Sequence, residues 1–167
     1  MKRNIVWTMV LLVVLLLSMP GVAGEKKHNH DCTCSIADVA GTWGYSETGT
    51  LMLPAPYGPT PYASVGSYTV DLDGSISGAR IASLGGTMLK ATIEGTATVD
   101  PDCTGTVTLS FFDPAGNPAG TAVKAIVYVD NANEARMIIT TAAYPAVLVT
   151  EAKKVFPDDH KRNCEGN

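Results

Sequence analysis

Residues 28–34 read HNHDCTC, so two imidazoles, a carboxylate and two thiols fall within one short stretch. Side chains of these types bind transition metals or form disulfides. Joined by His160, Cys103 and Cys164, they carry the donors that Zn²⁺ or copper prefers. His-x-His is a weak signal, however, and an even number of cysteines in an exported chain favours bridges. The preferred reading is two structural disulfides, from Cys32 and Cys34 to Cys103 and Cys164, and no metal. Which cysteine takes which partner stays open, although a Cys32–Cys34 ring would be tight and strained. The acidic turns further along match no EF-hand spacing, so they read as solvated turn residues rather than a calcium site.

A second set of residues has the chemistry of ligand binding. Glu47 and Arg80 supply opposite charges, and Tyr57, Tyr62, Phe111 and Tyr144 supply rings with apolar faces. An inward arginine could hold a carboxylate through paired N–H groups. A bulge at Gly78 would instead turn Arg80 outward and Ile81 inward. No Gly-x-Ser-x-Gly, His-Glu-x-x-His or phosphate-cradling loop occurs, and all three histidines lie in the terminal segments. Hydrolase and transferase chemistry are disfavoured on that ground, and no cofactor is expected.

These residues must be positioned by a domain whose compartment and size the chain suggests. The N-terminus, MKRNIVWTMVLLVVLLLSMPGVAG, has a basic start, an apolar run from Ile5 to Leu17 and then small residues, the pattern of a secretory signal peptide. The run is shorter than the roughly 20 residues that span a bilayer. The expected organisation is therefore a signal peptide at 1–24, a Cys/His-rich segment at 25–35, a β domain at 36–156 and a tail at 157–167. The expected location is periplasmic or extracellular, without membrane attachment after cleavage. A formal charge of −4 offers no footprint for nucleic acid.

From residue 42 on, eight β-rich runs are separated by Gly, Pro, Asp and Asn: 42–53, 64–72, 75–82, 87–99, 104–112, 121–129, 134–141 and 146–155. The fourth and fifth alternate cleanly, with Ala91, Ile93, Ala97, Val107 and Leu109 on one face and threonines on the other. Period two with one apolar face marks half-buried antiparallel strands. Short links suggest an all-β, eight-stranded, antiparallel up-and-down barrel, because closure removes exposed edges. A β-sandwich is the alternative. Ser35–Val39 is long enough for one helical turn.

In such a meander the connectors alternate between two ends. The acidic turns at 71–74, 100–103 and 130–133 fall at one end, and all four cysteines fall there too. The longer links rich in Pro, Gly and Tyr fall at the other, which is the expected mouth.

The stretch IADVAGTWGY resembles the start of a lipocalin or related calycin barrel, where a helical turn precedes Gly-x-Trp on the first strand. The resemblance implies that Gly41 and Trp43 plug the closed end, with a basic residue of the last strand, Lys153 or Lys154, packed over the tryptophan. The family often carries Thr-Asp-Tyr between strands six and seven; here only Asp130 of Val129-Asp130-Asn131 matches, and the usual arginine is missing. VDPDCTGT also resembles a motif of secreted bacterial proteins without an assigned activity.

The inward wall should mix small residues (Ala91, Gly95, Ala97, Gly105, Ala125, Ala135) with Val70, Leu72, Ile93, Val107, Leu109, Val127, Met137 and Ile139, leaving room for one small ligand. The opposite parity puts Ile126, Tyr128, Ile138 and Leu148 outside, where they could form a homo-oligomer interface. The expected function is a secreted barrel that binds a hydrophobic or amphipathic small molecule at Glu47, Tyr57, Tyr62, Arg80, Phe111 and Tyr144. The alternatives are a cofactor-free cyclase or isomerase assisted by Glu47, and a structural or adhesive extracellular domain.

Overall fold

Alternating burial along each run produces eight strands: β1 (Gly41–Leu53), β2 (Gly58–Val70), β3 (Ser75–Leu84), β4 (Thr87–Val99), β5 (Thr104–Phe112), β6 (Pro118–Val129), β7 (Glu134–Ala142) and β8 (Ala146–Lys154). The structure, a computed structural model, describes residues 33–156. Each strand pairs antiparallel with the next, and β8 pairs back onto β1, so the sheet is a closed up-and-down barrel rather than a sandwich. The expected segments at 1–24 and 157–167 lie outside the described residues, as do His28, His30, Cys32, His160 and Cys164. Among the described residues no helix is long and apolar enough to cross a membrane.

β2 starts six residues earlier than its β-rich composition suggests, taking in Pro59 and Pro61. Both pair with β1. The strand also stops at Val70, so Leu72 belongs to the following turn and is exposed instead of facing the interior.

The closed end is built first in the chain. The helical turn α1 (Ile36–Val39) is capped by the Asp38 carboxylate, which accepts hydrogen bonds from Ser35 N and Oγ at 2.9 and 2.8 Å. That turn lies across the barrel base, where the Val39 carbonyl accepts the Trp43 indole N–H at 2.9 Å. Trp43 is fully buried. Its ring stacks on Tyr68 with centroids 6.4 Å apart and meets Tyr128 at 6.0 Å, within the range of favourable aromatic pairs. The cation above it is Lys154, not Lys153: the Lys154 ammonium sits 5.9 Å from the indole and donates to the Asp38 carbonyl at 2.8 Å. Lys153, one residue earlier and on the opposite face of β8, is exposed and pairs with Glu134. Period-two geometry makes the two lysines mutually exclusive candidates.

Cys34 and Cys103 form a disulfide that ties the segment before α1 to the β4–β5 turn, with Cα atoms 4.9 Å apart. The Cys34 amide donates to Pro101 O beside it at 3.1 Å. The strained Cys32–Cys34 ring is thereby excluded.

The parity of β6 and of the mouth-side part of β8 is the reverse of the sequence expectation. Ile126, Tyr128 and Leu148 are buried inside, whereas Ala125 and Val127 face solvent; of the expected outer patch only Ile138 is outside. Both faces of β6 are apolar, and the inner one contains Lys124, so placing the charge in water selects the wrong face. What inverts the preference is a carboxylate from β1, described below.

The bridge closes a separation of 69 residues. Replacing both Cys34 and Cys103 with serine should therefore cost about 4 kcal/mol. Urea unfolding under non-reducing conditions measures this, and an unchanged midpoint would show that the bridge contributes nothing.

Candidate functional site

Glu47 faces the barrel interior from the middle of β1. Its cross-strand neighbours are Ser64 on β2 and Thr150 on β8, both inward and both buried. Thr150 Oγ1 donates to Glu47 Oε1 at 2.8 Å, and Ser64 Oγ donates to Oε2 at 3.4 Å. The third donor is the Lys124 ammonium, which reaches in from β6, ion-pairs with Glu47 Oε1 and donates to Thr150 Oγ1 at 2.9 Å. Glu47 and Lys124 are only 3 % and 4 % exposed. A pair this deep persists only when its remaining valences are met, and the two hydroxyls meet them. Lys124, Ser64 and Thr150 are the residues of this network that sequence reasoning missed.

A bulge aims it. Between Val123 and Lys124 the register with β7 skips Thr140, whose hydroxyl donates back to Val123 O at 3.0 Å. Lys124 consequently lies opposite Ile139, with both side chains on the inner face.

Arg80 points inward from β3, so no bulge at Gly78 turns it out, and Ile81 takes the exposed position. Its guanidinium carbon lies 3.5 Å from the centroid of the Phe111 ring. One of its N–H groups, on Nη1, donates to the Tyr62 hydroxyl at 2.8 Å. Gly66, directly between Tyr45 on β1 and Arg80 on β3, keeps this wall thin. A Cβ there would come within 3.0 Å of the Tyr45 ring and 2.3 Å of the Ala79 carbonyl.

The ion pair divides the interior. Below it, Tyr45, Tyr68, Ile76, Ile93, Val107, Leu109 and Met137 leave a void of about 20 Å³, little more than one water occupies. Above it, a cavity of about 170 Å³ opens to the mouth, lined by Glu47, Lys124, Arg80, Tyr62 and Phe111 together with Leu51, Leu84, Ile139, Leu148 and Tyr144. Of the expected ligand residues, Glu47, Tyr62, Arg80, Phe111 and Tyr144 therefore share one cavity. Tyr57 does not: it sits in the β1–β2 turn, 75 % exposed. A wider depression of about 840 Å³ on the outer face of β2–β4 is shallow, and Lys90 is its only outward charge. The inner cavity has the convergent polar groups that a specific site needs.

Burial governs the titration of this interior. Desolvation pushes the Tyr45 phenol up to about 12, against the opposing pull of Arg80, and it raises Tyr62 in the same way. The Tyr128 phenol also rises to about 12 through burial, and Tyr68 is raised further. Lys124 moves the other way: burial lowers its pKa, Glu47 opposes the shift, and Arg80 adds to it.

The chain matches no family model, no curated protein and no solved structure. The site is accordingly read from its own geometry. Among the described residues no group of His, Cys, Asp and Glu is placed to hold a metal ion.

Removing one member of the ion pair strands the other. Glu47→Leu and Lys124→Met should each cost about 3–5 kcal/mol, and the double variant should be more stable than either single one. Urea unfolding of the four proteins measures the coupling, and additive losses would mean that the pair contributes nothing. The four tyrosines hold their protons to higher pH when folded than unfolded, so the unfolded chain binds fewer protons above pH 10. Stability should be undiminished on their account below pH 10 and fall as pH climbs toward 12, read as cooperative unfolding coincident with tyrosinate absorbance.

Proposed function

We propose that this barrel binds a small amphipathic anion in its upper cavity. The observation that carries the reading is Arg80: a guanidinium inside the mouth, stacked on Phe111, with one N–H engaged by Tyr62 and no carboxylate paired to it among the described residues. Glu47 is occupied by Lys124, so the net charge of the lining is positive. The paired N–H groups of arginine suit a carboxylate, and the leucines above suit an apolar body. A volume near 170 Å³ fits a guest of about one aromatic ring, since a cavity of about 150 Å³ accepts benzene.

The same reading extends to location and kinship. A signal-like N-terminus and the Cys34–Cys103 bridge support export to an oxidising compartment. Gly41-x-Trp43 at the closed end, with Lys154 over the indole, supports kinship with the lipocalin and calycin barrels.

Native mass spectrometry of protein purified from its own host should reveal a retained small acid. Benzoate should bind with measurable heat, and Arg80→Gln should weaken it by about tenfold to a hundredfold, the loss of a charged hydrogen-bond partner. An empty protein that gives no heat with benzoate overturns the reading.

A further inference from the structure

Arg80 accounts for the anionic end of a guest, yet the floor of the same cavity presents a primary amine. Lys124 Nζ touches Glu47 Oε1 and Thr150 Oγ1, so an acceptor that can take a proton and a hydroxyl that can relay one both adjoin it. Phe111, Ile139 and Leu148 wall the space above and limit water. We infer that Lys124 captures the carbonyl carbon of a short oxo acid as an imine, while Arg80 holds the carboxylate of the same molecule. The inference rests on the anion-binding reading and adds the covalent bond.

The chemistry closes on the residues present. Lys124 passes a proton to Glu47, and its lone pair adds to the carbonyl carbon. The resulting carbinolamine shifts a nitrogen proton to oxygen. Glu47 then returns its proton to the hydroxyl, which leaves as water while the C=N bond forms. Two of the three ammonium protons depart with the carbonyl oxygen, and nothing is oxidised or reduced. The product nitrogen keeps one proton and a positive charge, so Glu47 recovers its ion pair and no unpaired charge is buried. Burial lowers the pKa of Lys124, with Arg80 contributing in the same direction and Glu47 opposing, which raises the share of free amine needed for addition.

The test is reductive trapping of the intact protein with 4-oxobutanoate and cyanoborohydride near neutral pH, followed by peptide mapping, with benzoate binding measured in parallel. A single adduct should form on Lys124, about tenfold or more faster than on the exposed Lys90 and Lys153. Benzoate should compete with it. Arg80→Gln should slow trapping of 4-oxobutanoate more than that of butanal, which lacks the carboxylate. Lys124→Arg, which keeps a cation beside Glu47 but has no amine to form an imine, should lose the adduct. Labelling as fast on Lys90 and Lys153, or absent from Lys124, overturns covalent capture. If benzoate still binds in that case, the anion-binding reading stands alone; if it does not, both fall.

Discussion

The ion pair between Glu47 and Lys124 is the interaction around which the interior is arranged. Taking both charges out of water costs several kcal/mol per ion, and mutual attraction offsets that only with good geometry and satisfied lone pairs. Antiparallel register supplies both: Ser64 and Thr150 stand directly across from Glu47 on either side, and Lys124 comes from further round the wall. The pair thereby acts as a partition. Below it the space is filled by aromatic and aliphatic groups; above it a cavity opens to the mouth.

The lower half is held by independent means that converge on Trp43. The indole donates to α1, stacks on Tyr68, abuts Tyr128 and lies under Lys154. Lys154 in turn donates to Asp38, linking the last strand to the turn before the first. The Cys34–Cys103 bridge anchors that same turn to the middle of the chain.

Local alternation made most of the architecture legible in the sequence. Strands β4 and β5 carry one apolar and one threonine face, and their bounds coincide with the runs in the sequence. The same parity places Glu47 and Phe111 inward; it leaves Arg80 open because of Gly78, and Tyr62 is legible only as a residue of the mouth. The failures share a cause, which is that local pattern cannot register a partner far along the chain. Lys124 has its counter-ion 77 positions away, so nothing local marks it as an interior residue or shows that Ile126 and Tyr128 share its inward face. Lys153 and Lys154 are adjacent, so only the pleat decides which one reaches the indole. Tyr57 shares a composition with the rim residues, but its turn projects it into water.

Pairing of β1 with β8 has a temporal consequence. Residues Trp43–Leu51 find their second set of backbone partners only in Ala146–Lys154, so one flank of β1 waits while about a hundred residues are synthesised. Until β8 is in place the sheet is incomplete, with bare amides at both margins, the state most prone to association with other chains. Sealing of the ring waits for β8, and anything that shields the earlier strands acts before the upper cavity is enclosed.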